Sequence, residues 1–153
     1  MIRLLGAVLF LASSFTLGTA LRRIEAKHIA ALAEALSVVR HAGRKIELFG
    51  TPLGVLFTDY SENPQLAERL RSLPLQTALV PLLTYMREDG EIMRRFCAEI
   101  GVGYREDATK CCDYTAKLLS ERLAVLRKTY PSHARLYTAL PVLLALSVIL
   151  LFA

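Results

Sequence analysis

The chain has 153 residues, 54% of them hydrophobic and 22% charged, with a formal net charge of +5. That length suits one domain built from a few short elements and excludes a multi-domain enzyme. Its three cysteines cannot pair off as a disulfide framework, and a mean hydropathy of +0.38 beside so many charges means that the apolar residues are concentrated locally.

They are concentrated at the two ends. Residues 4–21 and 136–153 contain no Asp, Glu, Lys, Arg or His, while all 14 acids and all but one of the 19 Lys and Arg lie between them. Each stretch makes a helix of about 27 Å at 1.5 Å per residue, close to the roughly 30 Å hydrocarbon core of a bilayer. Two membrane spans are therefore expected, at 4–21 and 136–153. The small residues Gly6, Ser14 and Gly18 in the first suit close helix approach in lipid. Arg22, Arg23 and Lys27 follow the first stretch, and Arg127, Lys128 and Arg135 precede the second. Since cationic flanks stay on the cytoplasmic side, the region 22–135 is expected in the cytoplasm, with both termini outside. The alternative is an exported, C-terminally anchored helical domain whose first segment is a cleaved signal peptide, because Gly18-Thr19-Ala20 imitates a cleavage site. Arg22-Arg23 directly after that site opposes export, and unpaired thiols suit a reducing compartment.

The region between the ends reads as a bundle of helices. From Ile24 through His28, Ala31, Leu32, Ala35, Val38, Val39, Ala42 and Ile46 to Phe49, apolar residues recur in steps of three and four, which predicts one long amphipathic helix continuous with the first span. Gly50 should end it. Thr51 as N-cap and Pro52 at the first helical position predict a second helix over 52–60. Ser61-Glu62-Asn63-Pro64 starts a short polar helix to Ser72, and the uncharged run 73–83 predicts one short helix buried at the bundle centre, with a partner-binding surface as the alternative. A helix over 88–100 follows, with Glu88, Asp89 and Glu91 offsetting the helix dipole at its start and Ile92, Met93, Phe96 and Ile100 turned inward. After a sharp turn at Gly101-Val102-Gly103, a last long helix should run from Tyr104 to Thr129 and break at Tyr130-Pro131-Ser132. No run alternates with period two, so the fold class is all-α, a helical bundle between N-terminal and C-terminal transmembrane helices.

No catalytic constellation, cofactor motif or metal site emerges, so the chain reads as a non-enzyme. Cys111 and Cys112 are adjacent on a helix and point about 100° apart, which does not suit clasping one ion. The histidines His28, His41 and His133 lack ligand spacing and read as surface or stem residues. The pI near 9.3 permits nucleic acid or lipid as a partner, but the cations are interleaved with acids and form no basic stripe; membrane lipid is the nearer anion and no nucleic acid is expected. Arg87, Arg94 and Arg95 fall on the outward side of the helix 88–100. They are either a solvated face laced by Arg87–Glu91 and Glu91–Arg95 pairs or a cationic edge that binds a partner.

The whole chain resembles the stage III sporulation protein AB family. The resemblance lies in the two end spans, in Ile46-Glu47-Leu48-Phe49-Gly50-Thr51-Pro52-Leu53, and in Glu91-Ile92-Met93-Arg94-Arg95-Phe96 followed by Gly101. It departs from the family pattern at Cys97, Ile100, Gly103-Tyr104 and Ala108. The family is similar to the inner-membrane platform proteins of type II secretion and type IV pilus systems. The resemblance implies a scaffold in the mother-cell membrane of a spore-forming bacterium, part of a secretion-like channel complex facing the forespore. It implies other sporulation-complex membrane subunits and a cytoplasmic secretion-type ATPase as partners, and no cofactor. A homo-oligomer is left open.

Overall fold

The computed structural model describes residues 2–101 and 104–152, and the side chains of 12–150 apart from 53, 102, 103, 138 and 149. Among these residues every regular element is helical: α1 (Ile2–Phe49), α2 (Pro64–Ser72), α3 (Leu75–Ala78), α4 (Val80–Met86), α5 (Gly90–Glu99) and α6 (Arg105–Phe152), with 3-10 turns at Leu53–Val55 and Arg87–Asp89. The all-α class holds. Among the described residues no helix is long and apolar enough to cross a membrane. Of the two expected spans, the side chains of residues 4–11, 138, 149 and 151–153 lie outside the described set.

The chain divides into two compact units, Met1–Lys27 with Leu126–Ala153, and His28–Val125. The second is a helical bundle. Ala31, Leu32, Ala35, Leu36, Val38, Val39, Ala42 and Ile46 form the buried stripe of α1, as the spacing predicts, whereas Phe49 is exposed. Ile24, expected on the same stripe, is also exposed. Opposite the stripe, α6 contributes Cys112, Thr115, Leu119 and Leu123. The two helices approach so closely that a Cβ on Gly43 would lie 3.2 Å from the Cβ of Cys112.

Gly50 ends α1 in the left-handed conformation, at φ 57°. Its N–H bonds the Ile46 carbonyl at 3.0 Å, closing the helix in the αL manner. Thr51 is not the N-cap expected of it. Its N–H and its hydroxyl both donate to the Lys45 carbonyl, at 3.4 and 3.2 Å, so it completes α1 instead of starting a new helix. The helix expected over 52–60 is replaced by successive i→i+3 turns, with Val55 bonding Pro52, Thr58 bonding Val55 and Tyr60 bonding Phe57. A nine-residue helix without a cap and with Gly54 inside it is marginal. The turns are held from outside: Arg71 donates to the carbonyls of Thr58 and Tyr60 at 2.8 and 3.1 Å. Leu56, Phe57 and Tyr60 are buried all the same.

Asn63 caps α2 as expected, its Oδ1 accepting from the Gln65 and Leu66 amides, with Pro64 at the first helical position. The run 73–83 forms two short helices, not one. Pro81 has no N–H to offer a carbonyl four residues back, so α3 stops and the chain restarts as α4. This segment is buried on one side only: Ala78, Leu79 and Leu82 lie in the core, while Leu73 and Val80 are exposed.

The expected break at Tyr130-Pro131-Ser132 is absent. α6 runs through both Pro131 and Pro141. Each proline removes one backbone hydrogen bond and costs roughly 3 kcal/mol. Side-chain burial on both sides of Pro131, at Leu119 and Leu123 and then at Ala134 and Ala145, offsets that loss. The last helix, expected from Tyr104, starts at Arg105; the turn residues Val102 and Gly103 lie outside the described set.

The basic character expected of the region 22–135 does not belong to the bundle. His28–Val125 holds twelve Lys and Arg against thirteen acids, whereas the other unit holds seven Lys and Arg against Glu25 alone.

Candidate interaction surface

α5 carries the residues that the sequence singled out. Met93, Phe96 and Ile100 recur in steps of three and four and are buried, which turns Arg94 and Arg95 outward. Arg94 Nη1 bonds Glu91 Oε2 at 3.0 Å, with both side chains more than 60% exposed. The Arg87–Glu91 and Glu91–Arg95 pairs expected from spacing are replaced by this i,i+3 pair, which is worth only a few tenths of a kcal/mol in such exposure. It does not consume the edge electrostatically. Arg95 lines a cavity of about 150 Å³ between α5 and α6, with Glu91 and Glu99 on its own helix and Tyr114, Thr115 and Leu118 opposite. A volume of that order admits one side chain of a partner.

Arg87 stands apart from this pair. It is the junction of α4 and the following 3-10 turn and adopts φ 53°, ψ −125°. It is the one non-glycine residue with positive φ among the described residues. Holding an L-residue there costs about 1–3 kcal/mol, which surrounding structure must offset. The strain has a visible consequence: the sharp turn brings Asp89 round to face two other helices.

Asp89 does more than offset a helix dipole. Its carboxylate meets His28 Nε2 on α1 at 3.2 Å and Arg122 Nε on α6 at 3.6 Å. The His28 and Asp89 side chains are only 12% and 15% exposed. One carboxylate therefore joins three elements of the bundle. Spacing gave no signal of it, because the partners lie 61 residues before and 33 residues after Asp89.

His41 is not a surface residue either. Its ring packs edge-on against Tyr60 with centroids 5.4 Å apart and stacks on Phe57 at 6.3 Å, and its Nε2 is buried without a hydrogen-bond partner. Desolvation holds its pKa below the ordinary 6.5; a hydrogen bond with the Leu56 backbone acts against this, and the Lys45 and Arg44 charges act with it. The unfolded chain binds a proton on this ring as the pH falls past about 6.5, while the folded chain resists. Stability is thus complete above that pH and declines as the pH drops toward the lowered value. We expect the loss of melting temperature on acidification to be smaller in His41→Phe than in the unaltered full-length chain. Equal losses would show that His41 does not contribute to acid sensitivity.

The three thiols are quiet. Burial pushes Cys112 up to about 12 and Cys97 up to about 11. Cys111 is also raised, first by burial and then by Glu99, whose Oε2 accepts its S–H at 3.8 Å. At neutral pH all three are protonated, so they are poor nucleophiles and poor metal ligands. Among the described residues no group of three His, Cys, Asp or Glu is placed to hold a metal ion.

No protein-family model matches the chain, and no curated protein or solved structure matches it.

Proposed function

We propose that the chain is a non-enzymatic scaffold subunit of a sporulation channel complex, anchored by both ends in the mother-cell membrane and holding its bundle in the cytoplasm. In this reading the bundle docks a secretion-type ATPase, and other membrane subunits of the complex contact the anchored ends. The family resemblance supplies the setting. The observation that carries the docking role is the outward row of α5, where Arg94 and Arg95 are exposed beside a cavity of side-chain size. Arginine suits such a role because its planar fork meets carboxylates in two parallel hydrogen bonds.

The retained first segment is favoured over the exported alternative by packing. Gly18 is buried within the unit that pairs it with Leu126–Ala153, so cleavage after Ala20 would remove most of that unit's first segment. The intact mass of the membrane-extracted protein distinguishes the two.

The docking role is tested with the double variant Arg94→Glu/Arg95→Glu in sporulating cells. It should remain folded and membrane-associated, because both residues are exposed, yet lose the ATPase in co-purification. If the partner buries one of these charges, reversal removes about 2–5 kcal/mol of binding, a factor of thirty or more. Unchanged recovery of the ATPase would return the two arginines to a solvated face.

A further inference from the structure

Beside its apolar stripe, α1 carries a polar one. Glu34, Ser37, His41 and Lys45 recur in steps of three and four, so they share one face of the helix. Every one of them meets the segment that follows α1. Lys45 pairs with Asp59, His41 packs against Phe57 and Tyr60, the Ser37 hydroxyl lies 2.6 Å from the Tyr60 hydroxyl, and the Glu34 carboxylate accepts from the Asn63 side chain. Read from Lys45 back to Glu34, the partners run forward from Asp59 through Tyr60 to Asn63. The backbone of the segment itself makes only isolated i→i+3 turns, so this row of side chains, with Arg71 of α2 on the carbonyls of Thr58 and Tyr60, clasps it to the bundle.

His41 is the contact that a proton can undo. Its Nε2 is buried without a partner, so Nδ1 is the nitrogen that meets the Leu56 backbone. That bond favours the protonated form, which makes the Leu56 carbonyl the acceptor and leaves Nε2 bare in the neutral ring. A proton added there creates a buried N–H that no acceptor meets. The surrounding charges do not compensate. Arg44 and Lys45 on the same helix oppose a further cation, and Asp59, the carboxylate that faces the ring from the segment, is already held by Lys45. The Tyr60 hydroxyl is turned to Ser37 and burial keeps it un-ionised, with Glu34 and Glu62 on its side of the clasp. Arg71 adds a cation from α2, and Cys112 of α6, opposite Gly43, stays protonated.

We propose that the segment 51–63 is a strap released by one proton on His41: the imidazolium leaves its aromatic niche for water and frees Phe57 and Tyr60 with it. Release uncovers Leu56, Phe57 and Tyr60, all buried in the closed bundle, while the apolar stripe of α1 stays packed. The device belongs to the bundle alone and is independent of the docking and membrane readings.

Hydrogen exchange of the full-length chain in mild detergent tests it, at about pH 7.5 and 5.5, after correction for the intrinsic pH dependence of amide exchange. Lys45 holds the Asp59 carboxylate below its ordinary 3.8, so that pair persists across the window. A released histidine takes its proton near pH 6.5 while the clasped ring resists, so the open population rises as the pH falls, by up to about tenfold between the two conditions. Wild type should show this rise at 55–61 and none at 31–39 or 112–123. His41→Phe, which fills the niche with a ring that cannot titrate, and His41→Gln, which keeps a polar side chain there, should both abolish it. No rise in wild type, a rise spread equally over the bundle, or a rise at 55–61 that persists in both variants would each overturn the strap; in the last case His28 or His133, present throughout, is the group that titrates.

Discussion

Leu79→Asp is expected to unfold the bundle, and Val80→Asp beside it is expected to do almost nothing. Leu79 is fully buried, whereas Val80 is 54% exposed. An unpaired carboxylate at Leu79 costs several kcal/mol or is forced to protonate, and about 1.5–3 kcal/mol of apolar burial is lost with the leucine. Domains have only about 5–15 kcal/mol in hand. At Val80 the charge stays in water and the change should fall within about 0.5 kcal/mol. Far-ultraviolet circular dichroism of the full-length chain through a denaturant titration measures both. If Leu79→Asp keeps its helicity and midpoint while only assembly fails, the segment is a docking surface and not core.

The second large effect is expected at Asp89. Replacing it with Ala leaves His28 and Arg122 without the carboxylate that joins α1 to α6 through the turn after α4. Hydrogen bonds to charged groups contribute about 1.5–3 kcal/mol, and the His28 side of this junction is largely shielded from water, so a loss of that order is expected. The Arg122 side chain is 66% exposed, which leaves its share small. A double-mutant cycle between Asp89→Ala and His28→Ala should therefore show clear coupling, and one with Arg122→Ala little. Additive losses at His28 would mean that the 3.2 Å contact contributes no stability.

What could be read from the sequence was whatever is local. The stripe of α1, the αL stop at Gly50, the Asn63-Pro64 cap and the inward face of α5 are fixed by residues within a few positions of one another, and helix periodicity and capping chemistry act over that range. The uncharged ends and their cationic flanks are likewise properties of composition alone. Competition between local signals and distant partners was not legible. Thr51 has the chemistry of an N-cap, but the Lys45 carbonyl lies within its reach and completes the preceding helix. Pro131 has the chemistry of a break, but burial on either side holds α6 together. Asp89 has the position of a dipole-offsetting acid, yet it is turned onto His28 and Arg122 by a strained residue two positions earlier. Tertiary structure also decided where the positive charge belongs. A count along the sequence assigns it to everything between the uncharged ends; the division into units gives the bundle a near balance and leaves the excess on the helix pair.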